Sequence, residues 1–126
     1  MVDLNSYIQL YLKTAYEYQQ KIDMAVTQLE ANQVSEEAIE TIYIAAHSLK
    51  SQSTIMKYTE MAEVCSIIEK IFHDLKNTHG APSLGLIAHL RVAAVSILEC
   101  LRSIEHHNTE ISMVELRKRI LESVSQ

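Results

Sequence analysis

Glycine and proline together occur only three times in the 126 residues of this chain. A chain of this length with average composition would contain roughly fifteen of them. Because the turns and bulges of a sheet depend on these residues, their scarcity disfavours a β-rich fold. Alanine, leucine, isoleucine, glutamate, lysine and glutamine dominate instead, and most of these favour helices. The sequence therefore predicts an all-α fold.

Length, charge and cysteine content limit the class of protein. We expect a single domain spanning residues 1–126, large enough to bury a core without a metal or a disulfide. A net charge of −5 argues against binding to nucleic acid. The sequence contains no uninterrupted run of about 18 apolar residues, so we expect no membrane span. Cys65 and Cys100 each lie in an apolar stripe and are interpreted as buried free thiols in a reducing cytosol, so we predict a cytoplasmic domain. Nothing in the sequence demands more than a monomer.

Apolar residues recur at three- and four-residue steps along five segments, which predicts five helices. In the first, Leu4 begins a stripe that we expect to be buried. Ser35 is the predicted cap of the second helix, Pro82 stands near the start of the fourth, and Ser112 with Glu115 forms a capping-box pattern for the fifth. The predicted helices cover residues 3–31, 36–56, 58–76, 82–105 and 113 onwards. Such helices form an antiparallel four-helix bundle with a shorter fifth helix. Whether the first or the last helix is the accessory one remains open.

His47 lies off the apolar stripe of the second helix. At about 100° per residue, it falls about 140° from Ile42, the centre of that stripe, so its ring should reach solvent. Lys50 follows one turn later on the same side. Glu69 lies at the margin of the buried face of the third helix. If the chain reverses near Tyr58, His47 and Glu69 are equally far from the turn, which predicts a surface cluster of His47, Lys50 and Glu69.

This trio of side chains suits phosphoryl transfer. A neutral imidazole is a good nucleophile near pH 7, since its reference pKa is about 6.5. A carboxylate that accepts one ring N–H fixes the tautomer and leaves the other nitrogen free to attack. A neighbouring ammonium group offsets the charge of the incoming phosphoryl group. This half of the reaction requires no metal and no cofactor.

The same residues resemble a known family. The segments "AAHSLKSQS" and "EVCSIIE" resemble the histidine phosphotransfer (HPt) domain, whose signature is H-x-L-K-G-x-S/A followed by a helix carrying L-C-x-x-L-E. The 22-residue step from His47 to Glu69 is most similar to that of the phosphotransfer domain of CheA-type chemotaxis kinases. The resemblance covers most of the chain.

The resemblance implies a four-helix bundle in which His47 is phosphorylated on Nε2. Glu69 would accept a hydrogen bond from Nδ1, and Lys50 would assist electrostatically. The implied partners are the ATP-binding domain of a histidine kinase and the receiver domain of a response regulator. Ser51, Ser53 and Thr54 lie where such partners would dock, with Ser53 also expected as the small inward residue that lets helices approach. With only two glycines, the chain has no nucleotide-binding loop of its own and is expected to have no autonomous activity.

Two positions depart from the family pattern. Ser51 replaces the glycine that usually follows the lysine, and Lys57 replaces a glycine that commonly ends the helix. The chain is interpreted either as the substrate module of a CheA-type kinase or as a free-standing carrier. A helical interaction module that retains the fold without phosphoryl transfer is the alternative function. A zinc site formed by His73, Asp74 and His79 is a much weaker hypothesis.

Overall fold

The computed structural model describes residues 4–124, which form five helices and no strand. In chain order the helices are α1 (Leu4–Glu30), α2 (Glu36–Ile55), α3 (Thr59–Thr78), α4 (Leu84–His107) and α5 (Val114–Val124). The all-α prediction is confirmed, and the predicted helix ends agree to within about two residues. The predicted start of the first helix, at Asp3, lies outside the described residues.

The helices form an antiparallel bundle in which α2 lies between α1 and α3. On its other side α1 packs against α4, whereas α3 and α4 touch only slightly. The short helix α5 packs against both α3 and α4 and so covers the gap between them. This arrangement identifies α1 as an integral helix of the bundle and α5 as the accessory one.

The core is a single apolar cluster to which all five helices contribute. The inward face of α2 includes three alanines and a serine, whose small side chains let α1 and α3 approach closely: Ala38, Ala45, Ala46 and Ser53. Both cysteines are fully buried free thiols, as the sequence predicts. The largest fully buried side chains are Phe72, Ile22, Leu29, Ile42, Leu49, Met61, Ile68, Leu90, Ile97, Leu101, Ile104 and Ile120.

Two buried hydrogen bonds join α1 to its neighbours. The hydroxyl groups of Tyr11 and Ser53 lie 2.7 Å apart between α1 and α2. The Gln19 side chain donates to the carbonyl of Ala94 in α4 at 3.0 Å. Both pairs lie within apolar surroundings, where an unpaired polar group would be costly. They therefore fix the rotation of α1 relative to α2 and α4.

Leu4 is not part of the core, contrary to the prediction from periodicity. Its side chain is 68% exposed. Tyr11 lies level with Ser53, near the last turn of α2, so the antiparallel first turns of α1 extend beyond the end of α2. A helical apolar stripe is buried only as far as a neighbouring helix covers it, and at Leu4 that cover has ended.

The start of α5 also differs from the predicted capping box. The helix begins at Val114, and the backbone N–H of Met113 donates to the carboxylate of Glu60, in α3, at 2.6 Å. In return, Glu110 in the preceding loop accepts the N–H groups of Glu60 and Met61 at the start of α3. Each helix start is thus capped by a carboxylate distant in sequence, an arrangement that a local pattern cannot predict.

Four helix ends are closed by non-glycine residues in the left-handed conformation. Asn32, Lys57, His79 and Asn108 have φ angles of 60°, 63°, 53° and 56°. At the end of α2, the N–H groups of Lys57 and Tyr58 donate to the carbonyls of Thr54 and Ser53. This is a Schellman motif, with a lysine in the position that usually favours glycine. The turn between α2 and α3 therefore keeps its geometry without glycine.

By length and composition α4 is the one helix of residues 4–124 that meets the criteria for crossing a membrane. In the structure, 44% of its apolar window is buried inside the bundle. Arg91, within that window, pairs with Asp23 and Glu30 on α1. The apolar character of α4 is therefore explained by its place in the core.

Replacing Lys57 with glycine should stabilise the domain by about 1 kcal/mol, because the side chain strains the left-handed conformation. A change of this size corresponds to a rise in Tm of about 4 °C, measurable by thermal unfolding. Lys70→Gly, at an exposed position inside α3, is the matched control and should destabilise by a similar amount. A Lys57→Gly variant as unstable as Lys70→Gly would contradict the assignment.

Candidate functional site

His47 lies on the solvent-facing side of α2, two turns before the helix ends. Its side chain is 53% exposed, whereas Ala45, Ala46 and Leu49 around it are buried. The neighbouring residues thus anchor the helix in the core while the imidazole ring projects outward. This placement agrees with the position predicted from the helical wheel.

Glu69 on α3 contacts His47 and Lys50 at the same time. Its Oε1 atom lies 2.6 Å from Nδ1 of His47, and its Oε2 atom lies 2.5 Å from Nζ of Lys50. The structure therefore brings together the three residues that the sequence predicts to be close. The antiparallel hairpin of α2 and α3, which reverses at Lys57 and Tyr58, places them at one height.

The hydrogen bond to Glu69 determines which nitrogen of His47 is available. A carboxylate can only accept, so Nδ1 carries the hydrogen and the lone pair of the neutral ring is on Nε2. In the described part of the chain no hydrogen bond occupies Nε2. The ring is thus held in one tautomer with its basic nitrogen directed away from Glu69.

The side chain of Glu69 is less exposed than those of the two residues it contacts. Its exposed fraction is 15%, against 31% for Lys50 and 53% for His47. Partial burial by itself raises the pKa of this carboxyl group. The hydrogen bonds from Lys50 and His47 outweigh that effect and hold the pKa of Glu69 below its usual value. Glu69 therefore remains a carboxylate throughout the neutral pH range.

A second set of side chains surrounds the imidazole on the side nearer the start of α2. The ring of Tyr43, one turn before His47, stacks on it with centroids 6.4 Å apart. Lys76 lies over the Tyr43 ring at 5.1 Å and pairs with Glu40 at 2.7 Å. Sequence reasoning missed this group. The four-residue step from Tyr43 to His47 was the available signal.

The three predicted docking residues have different surroundings. Ser51 and Thr54 are exposed on the His47 side of α2, and the Thr54 hydroxyl donates to the carbonyl of Lys50. Ser53 is fully buried and bonded to Tyr11, so its predicted role in contacting a partner is wrong. Its other predicted role, as a small inward residue between helices, agrees with the structure.

The two histidines of the zinc hypothesis have local partners. His79, at the end of α3, lies 3.0 Å from Glu36, and His73 lies 3.7 Å from Asp74. Within residues 4–124 no group of three or more histidine, cysteine, aspartate or glutamate residues is arranged to hold a metal ion. The zinc hypothesis for His73, Asp74 and His79 therefore finds no support in the geometry.

Comparison with known proteins gives a family and one similar protein. The family model described as "Hpt domain" matches residues 6–106. The chain is also 26% identical, over 76 residues, to the chemotaxis protein CheA of Bacillus subtilis (strain 168). That alignment covers 60% of this chain and 11% of the CheA protein, so the chain corresponds to a small part of its relative. No solved structure gives a significant match.

The family match spans most of the chain and includes the candidate site. The site residues that are at least partly exposed are His47, Lys50, Ser51, Thr54 and Glu69. It accords with the similarity to CheA and with the helical bundle that carries the histidine on its surface. The chain belongs to the Hpt domain family, the histidine phosphotransfer domains of two-component signalling.

Proposed function

We propose that His47 accepts a phosphoryl group on Nε2 and passes it to the aspartate of a receiver domain. The observation that carries this proposal is the 2.6 Å contact between Nδ1 of His47 and Glu69, which leaves Nε2 as the exposed nucleophile. The proposed donor is the ATP-bound catalytic domain of a CheA-type kinase, a choice supported by the similarity to CheA.

In the loading step, the Nε2 lone pair forms a bond to the γ-phosphorus of ATP held by the kinase domain. The bond between that phosphorus and the bridging oxygen breaks, and ADP leaves with the electron pair. Positive charge develops on the imidazole ring as the new bond forms. Glu69, already bonded to Nδ1–H, stabilises this charge, and Lys50 offsets the negative charge of the phosphoryl oxygens.

In the transfer step, a carboxylate oxygen of the receiver's aspartate attacks the phosphorus. The bond from phosphorus to Nε2 breaks, and its electron pair returns to the ring. Because Nδ1 keeps its hydrogen bond to Glu69 throughout, the histidine returns to the tautomer in which it can be loaded again. The chain's contribution is thus a fixed tautomer, a favourable local charge and an open approach to Nε2.

Ser51 and Thr54 belong to the surface that we propose the partners contact. Ser51 lies one turn after His47 on α2, and its exposed side chain stands where the family pattern has glycine. The extra atoms lie beside the route by which a partner approaches Nε2. We propose that they restrict the choice of partner without touching the reacting atoms.

Labelling with radioactive ATP and a purified CheA-type kinase tests the role of His47. The wild-type domain should acquire an acid-labile label, and His47→Gln should acquire none. His73→Gln, at an exposed histidine on α3, is the matched control and should label normally. Label on His47→Gln would contradict the assignment of His47 as the phosphorylated residue. No label on the wild type, with a kinase proven on another HPt domain, would support the interaction-module alternative.

Replacing Glu69 with alanine should slow labelling by about tenfold to a hundredfold, since the ring loses its fixed tautomer and its counter-charge. The labelled fraction at long times should approach that of the wild type, because Nε2 itself is retained. Initial rates measured at saturating kinase provide the comparison. A rate equal to the wild type would remove Glu69 from the mechanism.

Glu69 should also make stability depend on pH. Its pKa is lowered in the folded state, so its contribution is complete above the unfolded-state value and is lost as pH falls through the folded-state value. The free energy of unfolding, measured with urea, should be higher for the wild type than for Glu69→Gln by about 1 kcal/mol at pH 7. This difference should shrink below about pH 4.5. A difference that is constant down to pH 3 would contradict the assigned pKa direction.

A further inference from the structure

The hydrogen bond to Glu69 holds the His47 ring at one point only. Cβ joins the ring to the chain, and Nδ1 lies 2.6 Å from Oε1 of Glu69. Two fixed points define a line, and a flat ring can still swing about that line. The side chain is 53% exposed, so the surrounding solvent does not stop this motion. A third contact is therefore needed to set the plane of the ring.

The plane of the imidazole decides the direction in which Nε2 attacks. The lone pair of Nε2 lies in the ring plane, and the attacking atom, the phosphorus and the leaving atom are roughly in line during phosphoryl transfer. Reactions gain much of their rate when the reacting groups are held in such an arrangement. A neighbour that restricts the swing of the ring therefore accelerates transfer without touching the phosphoryl group.

Tyr43 supplies a contact on one side of the ring. Its ring centroid lies 6.4 Å from that of His47, and the two planes are inclined by 27°. These values fall in the range of offset-stacked aromatic pairs. The step of four residues places the two rings one above the other along α2. Of the aromatic rings in residues 4–124, only that of Tyr43 stacks on His47.

The Tyr43 ring is itself held in place, as a support must be. It is partly buried and packs against the apolar core. The ammonium group of Lys76 lies 5.1 Å from its centroid and is held by Glu40 at 2.7 Å. The ring of His73 on α3 lies 5.8 Å away. Core packing and Lys76 remain as supports when His73 is replaced.

We propose that Tyr43 is a positioning residue for phosphoryl transfer. Its ring sets the plane of the His47 imidazole, whereas Glu69 sets the tautomer. The aromatic ring and not the hydroxyl group carries the effect, because the contact with His47 is a ring stack. The inference rests on the proposed phosphotransfer function and adds a residue that acts through His47.

The test measures initial rates of His47 phosphorylation with two donors, a CheA-type kinase with ATP and the small molecule phosphoramidate. With phosphoramidate, the Nε2 lone pair attacks phosphorus, the P–N bond breaks and the nitrogen leaves with the electron pair as ammonia. Tyr43→Leu should slow phosphorylation by both donors about fivefold, as expected for the loss of one aromatic contact. In the kinase reaction kcat should fall and KM should stay unchanged, because the orientation of His47 affects the transfer step.

Two further variants separate the ring from other effects of the substitution. Tyr43→Phe keeps the ring and should react at the wild-type rate. Tyr16→Leu is the matched control, since it removes another partly buried tyrosine ring, whose hydroxyl group donates to Glu105 on α4. It should lower Tm and leave both rates unchanged. Tyr43→Met takes the place of Tyr43→Leu if the leucine variant does not fold, and the same loss of rate is expected.

Three results would overturn the inference. The first is an unchanged rate in Tyr43→Leu with both donors. The second is a loss confined to one of the two donors, since an effect on the His47 ring must appear with both. The third is a Tyr43→Phe variant as slow as Tyr43→Leu, because the hydroxyl group would then be the part that acts.

The phosphoramidate reaction also distinguishes failure of this inference from failure of the proposed function. Absence of phosphohistidine in the wild-type domain would count against the proposed function and with it the inference. Phosphohistidine on His47 of the wild type, formed at the same rate in Tyr43→Leu, would overturn the inference alone.

Discussion

The site depends on the register between α2 and α3. His47 and Glu69 are 22 residues apart, and their contact exists only because the chain reverses midway between them. The reversal is fixed by two backbone hydrogen bonds at Lys57 and Tyr58 and by the buried faces of both helices. A shift of one residue along α3 would move Glu69 by about 100° around its helix and break its contacts with both His47 and Lys50. The turn geometry therefore has a direct chemical consequence.

Glu69 combines two properties that are difficult to obtain on a surface. It is buried enough to be held in place, yet it is stabilised in its charged form by Lys50 and His47. An exposed carboxylate would have lost conformational freedom in making these contacts, and it would have been screened by water. Partial burial between α2 and α3 holds the Glu69 carboxylate in the orientation that these contacts need. The imidazole itself stays open to solvent, as the proposed exchange with a donor and a receiver requires.

The helices α1 and α5 stabilise the two helices that carry the site. On one side α1 packs along α2 through Tyr11 and Ser53, which explains why the residue at position 53 is small and polar. On the other side α5 is attached to α3 through Glu60 and Glu110, so the helix that carries Glu69 is capped from outside its own sequence. The overhanging start of α1 leaves the apolar side chains of Leu4 and Leu10 exposed. The residues that stabilise the bundle and those that face solvent thus lie on different surfaces of the same helices.

Much of the site could be predicted from the sequence, because helix formation and helix faces are local properties. The scarcity of glycine and proline determined the fold class, the wheel placed His47 and Lys50 outside the core, and equal distances from the turn paired His47 with Glu69. The tertiary structure decided what depends on neighbouring helices. It exposed Leu4 where α2 ends, buried Ser53 against Tyr11, and capped α5 with Glu60. It also left Oε1 of Gln52 buried without a donor. These outcomes follow from which surfaces meet, and helical periodicity shows only which residues share a face.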